Sequence, residues 1–371
     1  MCDALGIVNF EDAGVDISGL MDYRPASAIS FLGRYRMIDF ILSNMSNSGI
    51  SQIEVFIKDR PRSLIDHLGS GRQYNINSKR GRLRILYGET NRMSDIYNHD
   101  IANFMDNLQF IEEVNKPYVV IAPSYMIYQI DFNDVVNYHI EKNADVTVIY
   151  KSVDNAKEDF IGCDTVSLDK DKHIVGFEKN RGKYKTRNVS LEGYVMTKKL
   201  FLELTKKAAN TSSLYWLKDV LADSVEDLNI VGYGFKGKVY CINSLCSYFK
   251  ANMDLRNYAK AKELFKEDWP IHTRTNDSAP SQYMPNAKVR GSTIANGCHI
   301  EGTVENCVIG RNVVIKEGAI VKNSVILQGA YIGEGAKLDH VVVDKSAIVN
   351  HIKKLEGTDD APIYVKRRDR I

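Results

Sequence analysis

The chain has 371 residues, 44% of them hydrophobic and 26% charged, with a formal net charge of +2. So small a charge sets up no bulk field toward nucleic acid or an anionic membrane. The length allows one large domain plus a smaller one.

The N-terminus, MCDALGIVNFED, carries acid early and lacks a basic start followed by an apolar core, so it does not read as a signal peptide. No apolar run approaches the roughly 20 residues of a membrane span. The six cysteines (Cys2, Cys163, Cys241, Cys246, Cys298 and Cys307) are scattered without a C-x-x-C pair. That spacing predicts reduced thiols in a cytoplasmic protein.

In chain order, residues 5–10 read as a short opening strand. Glu11-Asp12-Ala13-Gly14-Val15-Asp16 follows, with a single glycine, no arginine and three carboxylates. Carboxylates repel a nearby triphosphate, so no phosphate cradle is expected there. Residues 24–50 open with Arg24-Pro25, turn at Gly33 and place Arg34 and Arg36 around Tyr35. Met37 to Leu42 has the apolar spacing of a helix face, Gly49 suits the residue after a helix end, and Ile53, Val55 and Ile57 alternate as in a strand. Guanidinium groups on such a loop grip phosphate bidentately; solvated loop cations are the alternative.

Residues 61–68 read as a helix with a proline near its start, and 83–86 as a strand. Residues 117–122 form a continuous apolar run, the pattern of a buried parallel strand. The end of such a strand is where an open α/β sheet keeps its ligands. Residues 131–143 read as a helix, 146–150 and 174–179 as strands, and 213–228 as an amphipathic helix. From Asn286 the texture changes. Ile309, Ile326 and Val343 are each 17 apart, as are Ile315 and Ile332, with small residues between. This is a hexapeptide repeat, the pattern of a left-handed parallel β-helix of about three coils. The predicted organisation is an α/β domain over 1–261, a linker over 262–284, and a β-helix with a basic tail over 285–371. The tail carries Lys366, Arg367, Arg368 and Arg370.

Residues 24–50 resemble the signature of the ADP-glucose pyrophosphorylases (glucose-1-phosphate adenylyltransferases), roughly K-P-A-V-P-F-G-G-K-Y-R-I-I-D-F-x-L-S-N. Arg-Pro ahead of it and Arg-Tyr-Arg after the glycine are closest to the GlgD-type subunit. The resemblance implies a Rossmann-like nucleotidyltransferase domain with a mixed, mostly parallel sheet, followed by the β-helix. It also shows which chemistry-bearing residues are replaced. Relatives have G-G-x-G-T-R-L where this chain has Glu11 and Asp12, and G-T-A-D-A where it has bulky Arg92 and Met93. They end the 117–122 strand with S-G-D-H, whose Asp holds magnesium; Tyr125 stands there. They have G-Y-W-x-D-V-G-T, whose Asp is the second metal ligand; Cys241 stands there. Neither a phenol nor a thiol suits magnesium.

Carried over residue by residue, the resemblance implies that Glu178 and Lys179 match a sugar-phosphate strand, although Asn180 replaces its proline. Ser190 lies in a matching stretch where Glu192 replaces a glycine. On residues alone, Glu178-Lys179 reads as a solvated pair. Arg24, Arg34 and Arg36 are the candidates for an effector phosphate, with local pairing to acids as the alternative.

The reading that results is a regulatory subunit with little or no activity of its own. It would join a catalytic ADP-glucose pyrophosphorylase subunit, in a heterotetramer, to tune ADP-glucose supply for glycogen in response to a phosphorylated glycolytic effector. No metal or other cofactor is expected in this chain, magnesium belonging to the catalytic partner, and neither nucleic acid nor membrane is an expected partner. The alternative is an active sugar-1-phosphate nucleotidyltransferase with altered metal ligands. A β-helix acyltransferase would need a catalytic histidine on a long trimeric helix, and only His299, His340 and His351 lie in or beside this short one.

Overall fold

The computed structural model describes residues 2–11, 14–76, 81–88, 97–351 and 354–371. They form two compact units that interleave along the chain. One comprises residues 1–14, 40–241 and 270–272; the other comprises 15–39, 242–269 and 273–371. The change in sequence texture near 285 marks where the repeat begins. The second unit also takes in 15–39 and 242–269.

The first unit is built on a nine-stranded sheet. Its strands are β1 (Ala4–Asn9), β2 (Gln52–Ile57), β3 (Arg82–Tyr87), β4 (Tyr118–Pro123), β6 (Val146–Val153), β7 (Asp164–Leu168), β8 (Ile174–Lys179), β9 (Arg187–Thr197) and β10 (Ile230–Gly234); β5 (Met126–Ile127) and β11 (Tyr240–Cys241) form a separate two-stranded ribbon. The order is β8-β7-β9-β4-β1-β2-β3, with β6 joining β9 to β10. β3, β2, β1 and β4 run parallel, whereas β9 is antiparallel to β4 and β6. The sheet is thus mixed and mostly parallel, as read from the sequence.

Strand β4 is buried along Val119–Ala122 because helices cover both faces. Leu5, Ile7, Val119, Ile121, Val146, Val148 and Met196 share one core with Phe104 and Phe201. Those two phenylalanines come from helices α3 (Asp100–Asp106) and α6 (Lys198–Thr211).

Helix α1 (Met37–Asn47) starts where the Arg36 amide donates to Asp39 Oδ2 at 2.8 Å, and Gly49 follows it at φ 82. Helix α5 (Phe132–Glu141) is capped by Asp131, whose carboxylate accepts from the Asn133 amide. The amphipathic stretch read over 213–228 is helical only as α7 (Leu217–Asp223). The Trp216 amide donates to Asp219 Oδ2 at 3.0 Å. That capping bond starts the helix one turn later than apolar spacing suggests.

In the second unit the repeat folds as the predicted left-handed parallel β-helix. Each of its three faces holds five strands, two more than the three coils read from the sequence. Ile300, Ile315, Ile332 and Val349 stack on one face, Val304, Val321, Leu338 and Leu355 on the next, and Ile294, Ile309, Ile326 and Val343 on the third. The extra coils were hidden because Gln282–Tyr283 is exposed in the stretch read as linker, and Ile363–Val365 lies in the stretch read as tail.

The segment 15–39 is pinned onto this β-helix at two glycines. A Cβ on Gly19, at φ 77, would sit 2.1 Å from the Tyr364 ring, and one on Gly33, at φ 75, would sit 2.8 Å from the Ile309 carbonyl oxygen. Only glycine tolerates both the left-handed backbone and the close approach. Among the described residues no helix is long and apolar enough to cross a membrane.

Candidate functional site

In the first unit, the ribbon of β5 and β11 sets Cys241 opposite Met126. It thereby brings together Tyr125 and Cys241, the two positions that resemblance marks for metal carboxylates. Tyr125 is buried, and its hydroxyl donates to Glu192 Oε1 at 2.6 Å. Glu192 sits at an irregularity of β9 between Ser190 and Gly193, at φ 51. That is backbone a glycine adopts readily, and the resemblance implies a glycine there. The Glu192 amide donates to Ser190 Oγ at 3.1 Å. Cys241 Sγ lies 3.4 Å from Cys163 Sγ.

Burial, reinforced by the charge of Glu192, pushes the Tyr125 phenol well above its ordinary range. The hydrogen bond with Cys163, and then burial, push the Cys241 thiol up as well. Both groups are held protonated at neutral pH. Magnesium requires hard anionic oxygen ligands. The phenol already donates to Glu192, and a protonated thiol provides none. The residues present therefore do not fit the ion.

Beside this cluster lies a small cavity bordered by Asn9, Phe10, Asp100, Glu192, Trp216 and Lys218. Its volume of about 20 Å³ is room for a water molecule. Asp100 is buried and accepts from the Ile101 amide at 2.7 Å, the Leu217 amide at 3.1 Å and Asn9 Nδ2 at 3.1 Å. Burial outweighs these donors and pushes its carboxyl up to about 6. Glu11 is buried at the end of the opening strand. Asp12, Arg92 and Met93 lie outside the described residues.

The sugar-phosphate candidates are all engaged within the chain. Glu178 Oε2 accepts from Arg187 at 3.0 Å. Lys179 Nζ lies 3.4 Å from Asp164 Oδ1, and Lys218 Nζ lies 3.5 Å from Asp164 Oδ2. Asp164 is nearly buried, so one internal carboxylate faces two lysines. Ser190 is fully buried beneath Glu192. Sequence reading missed Asp164 and Lys218 because neither stands in a motif.

The three arginines part company in the second unit. Arg24 is 2% exposed, and its guanidinium pairs with Asp344, which is fully buried, while its Nε donates to the Leu20 carbonyl at 2.9 Å. Tyr364 also donates to Asp344, at 2.8 Å. Arg24 is therefore a structural tie; the effector role expected of it requires a guanidinium open to solvent.

Arg34 is exposed and lines a cavity of about 260 Å³ with Arg311, Thr275, Asn276 and Asn296. Burial first, then the nearby Arg34, hold the Arg311 guanidinium below its usual range. Arg36 is half-buried. With Arg24 and Arg367 it acts on Lys345, whose ammonium burial and these cations bring down to about 7. Arg311 and Lys345 carried no sequence signal beyond being turn residues of the repeat.

The nucleotidyl transferase family matches residues 18–257, and the GlmU-like C-terminal hexapeptide family matches 279–361. The chain is 35% identical over 323 residues to the glycogen biosynthesis protein GlgD of Geobacillus stearothermophilus, an alignment covering 85% of this chain and 82% of that protein. It is 29% identical to GlgD of Bacillus subtilis, over 98% of this chain and 95% of the relative. It is 30% identical to the glucose-1-phosphate adenylyltransferase of Fervidobacterium nodosum, over 86% and 78% respectively.

Proposed function

This chain belongs to the nucleotidyl transferase family of the glucose-1-phosphate adenylyltransferases and GlgD proteins, and we propose that within it the chain is a regulatory subunit without catalysis of its own. It serves glycogen biosynthesis by joining a catalytic glucose-1-phosphate adenylyltransferase subunit in a hetero-oligomer. It tunes that partner's synthesis of ADP-glucose from ATP and glucose 1-phosphate.

The observation that carries the reading is the Tyr125–Glu192 hydrogen bond, with Cys241 beside it. Phosphoryl-group chemistry draws almost all of its rate from metal ions and positioned cations. Here a phenol and a thiol occupy the positions of both metal carboxylates, and Lys179 already faces an internal carboxylate. The fold needs none of the lost groups, so the scaffold persists without the chemistry.

Regulation then works through differential contacts that favour the partner's active state. An anionic effector, of the class of phosphorylated glycolytic intermediates, binds the second unit at the Arg34 cavity, where Arg311 supplies a second guanidinium and Asn276, Thr275 and Asn296 supply polar groups. Arg36 is not among the residues lining that cavity and acts instead on Lys345.

Co-purification with a candidate catalytic subunit, followed by activity titration of the mixture, tests this reading. The expected result is a stable complex whose turnover and effector response exceed those of the catalytic subunit alone. Absence of complex, or a complex with unchanged kinetics, overturns it. Activation indifferent to effector reduces the role to assembly.

A further inference from the structure

Cys163 and Cys241 are separated by 78 residues in the chain, yet their sulfurs lie 3.4 Å apart. Each thiol is held in place from its own side. The Cys163 amide donates to the Phe160 carbonyl at 3.2 Å, and its carbonyl accepts from the Asn180 amide at 2.8 Å. Cys241 is fixed by the pairing of β11 with β5. The other thiols face different groups. Cys298 and Cys307 lie against backbone carbonyls of the β-helix, and Cys246 faces the Asp359 carbonyl. Among the described residues this is the one thiol–thiol hydrogen bond, and all six cysteines are thiols.

We propose that Cys163 and Cys241 are a redox modification site that closes reversibly to an intramolecular disulfide. The bond would join the start of β7 to β11 at the position where relatives hold a metal carboxylate. A disulfide is about 2.05 Å long, so the sulfurs need to approach by roughly 1.4 Å.

The co-reactant is a low-molecular-weight disulfide. Cys241, the more exposed of the two thiols, reacts through its small deprotonated fraction, so the exchange is slow at neutral pH and speeds up as pH rises. Its thiolate attacks one sulfur of the reagent, breaking the reagent's S–S bond and expelling one thiolate. Cys163 then loses its proton and attacks the Cys241 sulfur, breaking the mixed disulfide and expelling the second thiolate. Two protein thiols are oxidised by two electrons, the reagent is reduced to two thiols, and those thiols take up the two protons.

The test is to incubate the full chain with oxidised glutathione, denature it, alkylate the remaining thiols, and map the peptides by mass. The expected product has lost two alkylatable thiols and retains no glutathione. It contains a Cys163–Cys241 cross-linked peptide that dithiothreitol reverses. Cys163→Ser should instead retain one glutathione on Cys241, with Cys163→Ala as the substitute if the serine variant does not fold. The unsubstituted chain decides the matter by itself. Glutathione retained on its Cys241, a disulfide involving any other cysteine, or both thiols still alkylatable would each overturn the proposal.

Discussion

The Tyr125 hydroxyl donates to Glu192 at 2.6 Å, joining residues 67 apart in the chain across the end of the sheet where α/β folds keep their ligands. The pair replaces two features at once. By the resemblance read in the sequence, a phenol stands at the position of a metal carboxylate, and a carboxylate stands at the position of a glycine. Each substitution alone would leave a polar group poorly matched to its surroundings; together they satisfy each other.

Tyr125→Phe should therefore cost stability out of proportion to one oxygen atom. It removes the Tyr125 donor from the part-buried Glu192 carboxylate, a loss of about 1–3 kcal/mol for a hydrogen bond to a charged group. A lowered urea midpoint with unchanged slope is the expected observation. Glu192→Gln, which keeps an acceptor, should lose less.

Arg24→Ala should be more damaging still, because it strands the fully buried Asp344. Removing one partner of a buried ion pair costs about 3–5 kcal/mol. The double variant Arg24→Ala, Asp344→Ala should recover part of that loss in the same denaturation experiment. An Arg24→Ala chain as stable as the unsubstituted one would contradict the assignment of Arg24 as a tie.

Arg34 and Arg311 carry the opposite expectation. Replacing Arg34 with Ala should leave the folded chain stable, since Arg34 is exposed; replacing Arg311, which is half-buried and donates to the Arg274 carbonyl at 3.4 Å, should cost little beyond that bond. Either change should weaken anion binding by roughly tenfold or more, the value of one charge-assisted hydrogen bond. Calorimetric titration with sulfate and with a sugar bisphosphate measures this.

Lys345 predicts a pH dependence. Burial and neighbouring cations bring its folded-state pKa down to about 7 from 10.5. Between these values the unfolded chain binds the proton and the folded chain does not. Stability from this residue therefore rises with pH from about 7 upward, is complete above the unfolded pKa, and is lost as pH falls through the folded one. Lys345→Met should flatten the urea midpoint measured from pH 7 to 10.

Much of the fold was legible because its signals are local. Strand β4 announced itself as an apolar run covered on both faces, and Ile309, Ile326 and Val343 repeat at the length of one coil. The late start of α7 was hidden because a single bond, from the Trp216 amide to Asp219, overrides apolar spacing. Within the candidate site, the replaced positions Tyr125 and Cys241 could be read by resemblance. Glu192 could be read as a replaced glycine, but not as the partner of Tyr125; Cys163, Asp164 and Asp344 acquire meaning only through contacts across long stretches of chain. Arg24 and Asp344 are 320 residues apart, and nothing local to the Arg24-Pro25 turn distinguishes a buried tie from an exposed anion grip.

Turnover of the purified chain alone, with glucose 1-phosphate, ATP and magnesium, tests the central claim most directly. Formation of ADP-glucose at the level of the protein-free blank is the predicted result. Turnover comparable with that of a catalytic glucose-1-phosphate adenylyltransferase would contradict it, and would identify the chain as a transferase with rewired metal ligands.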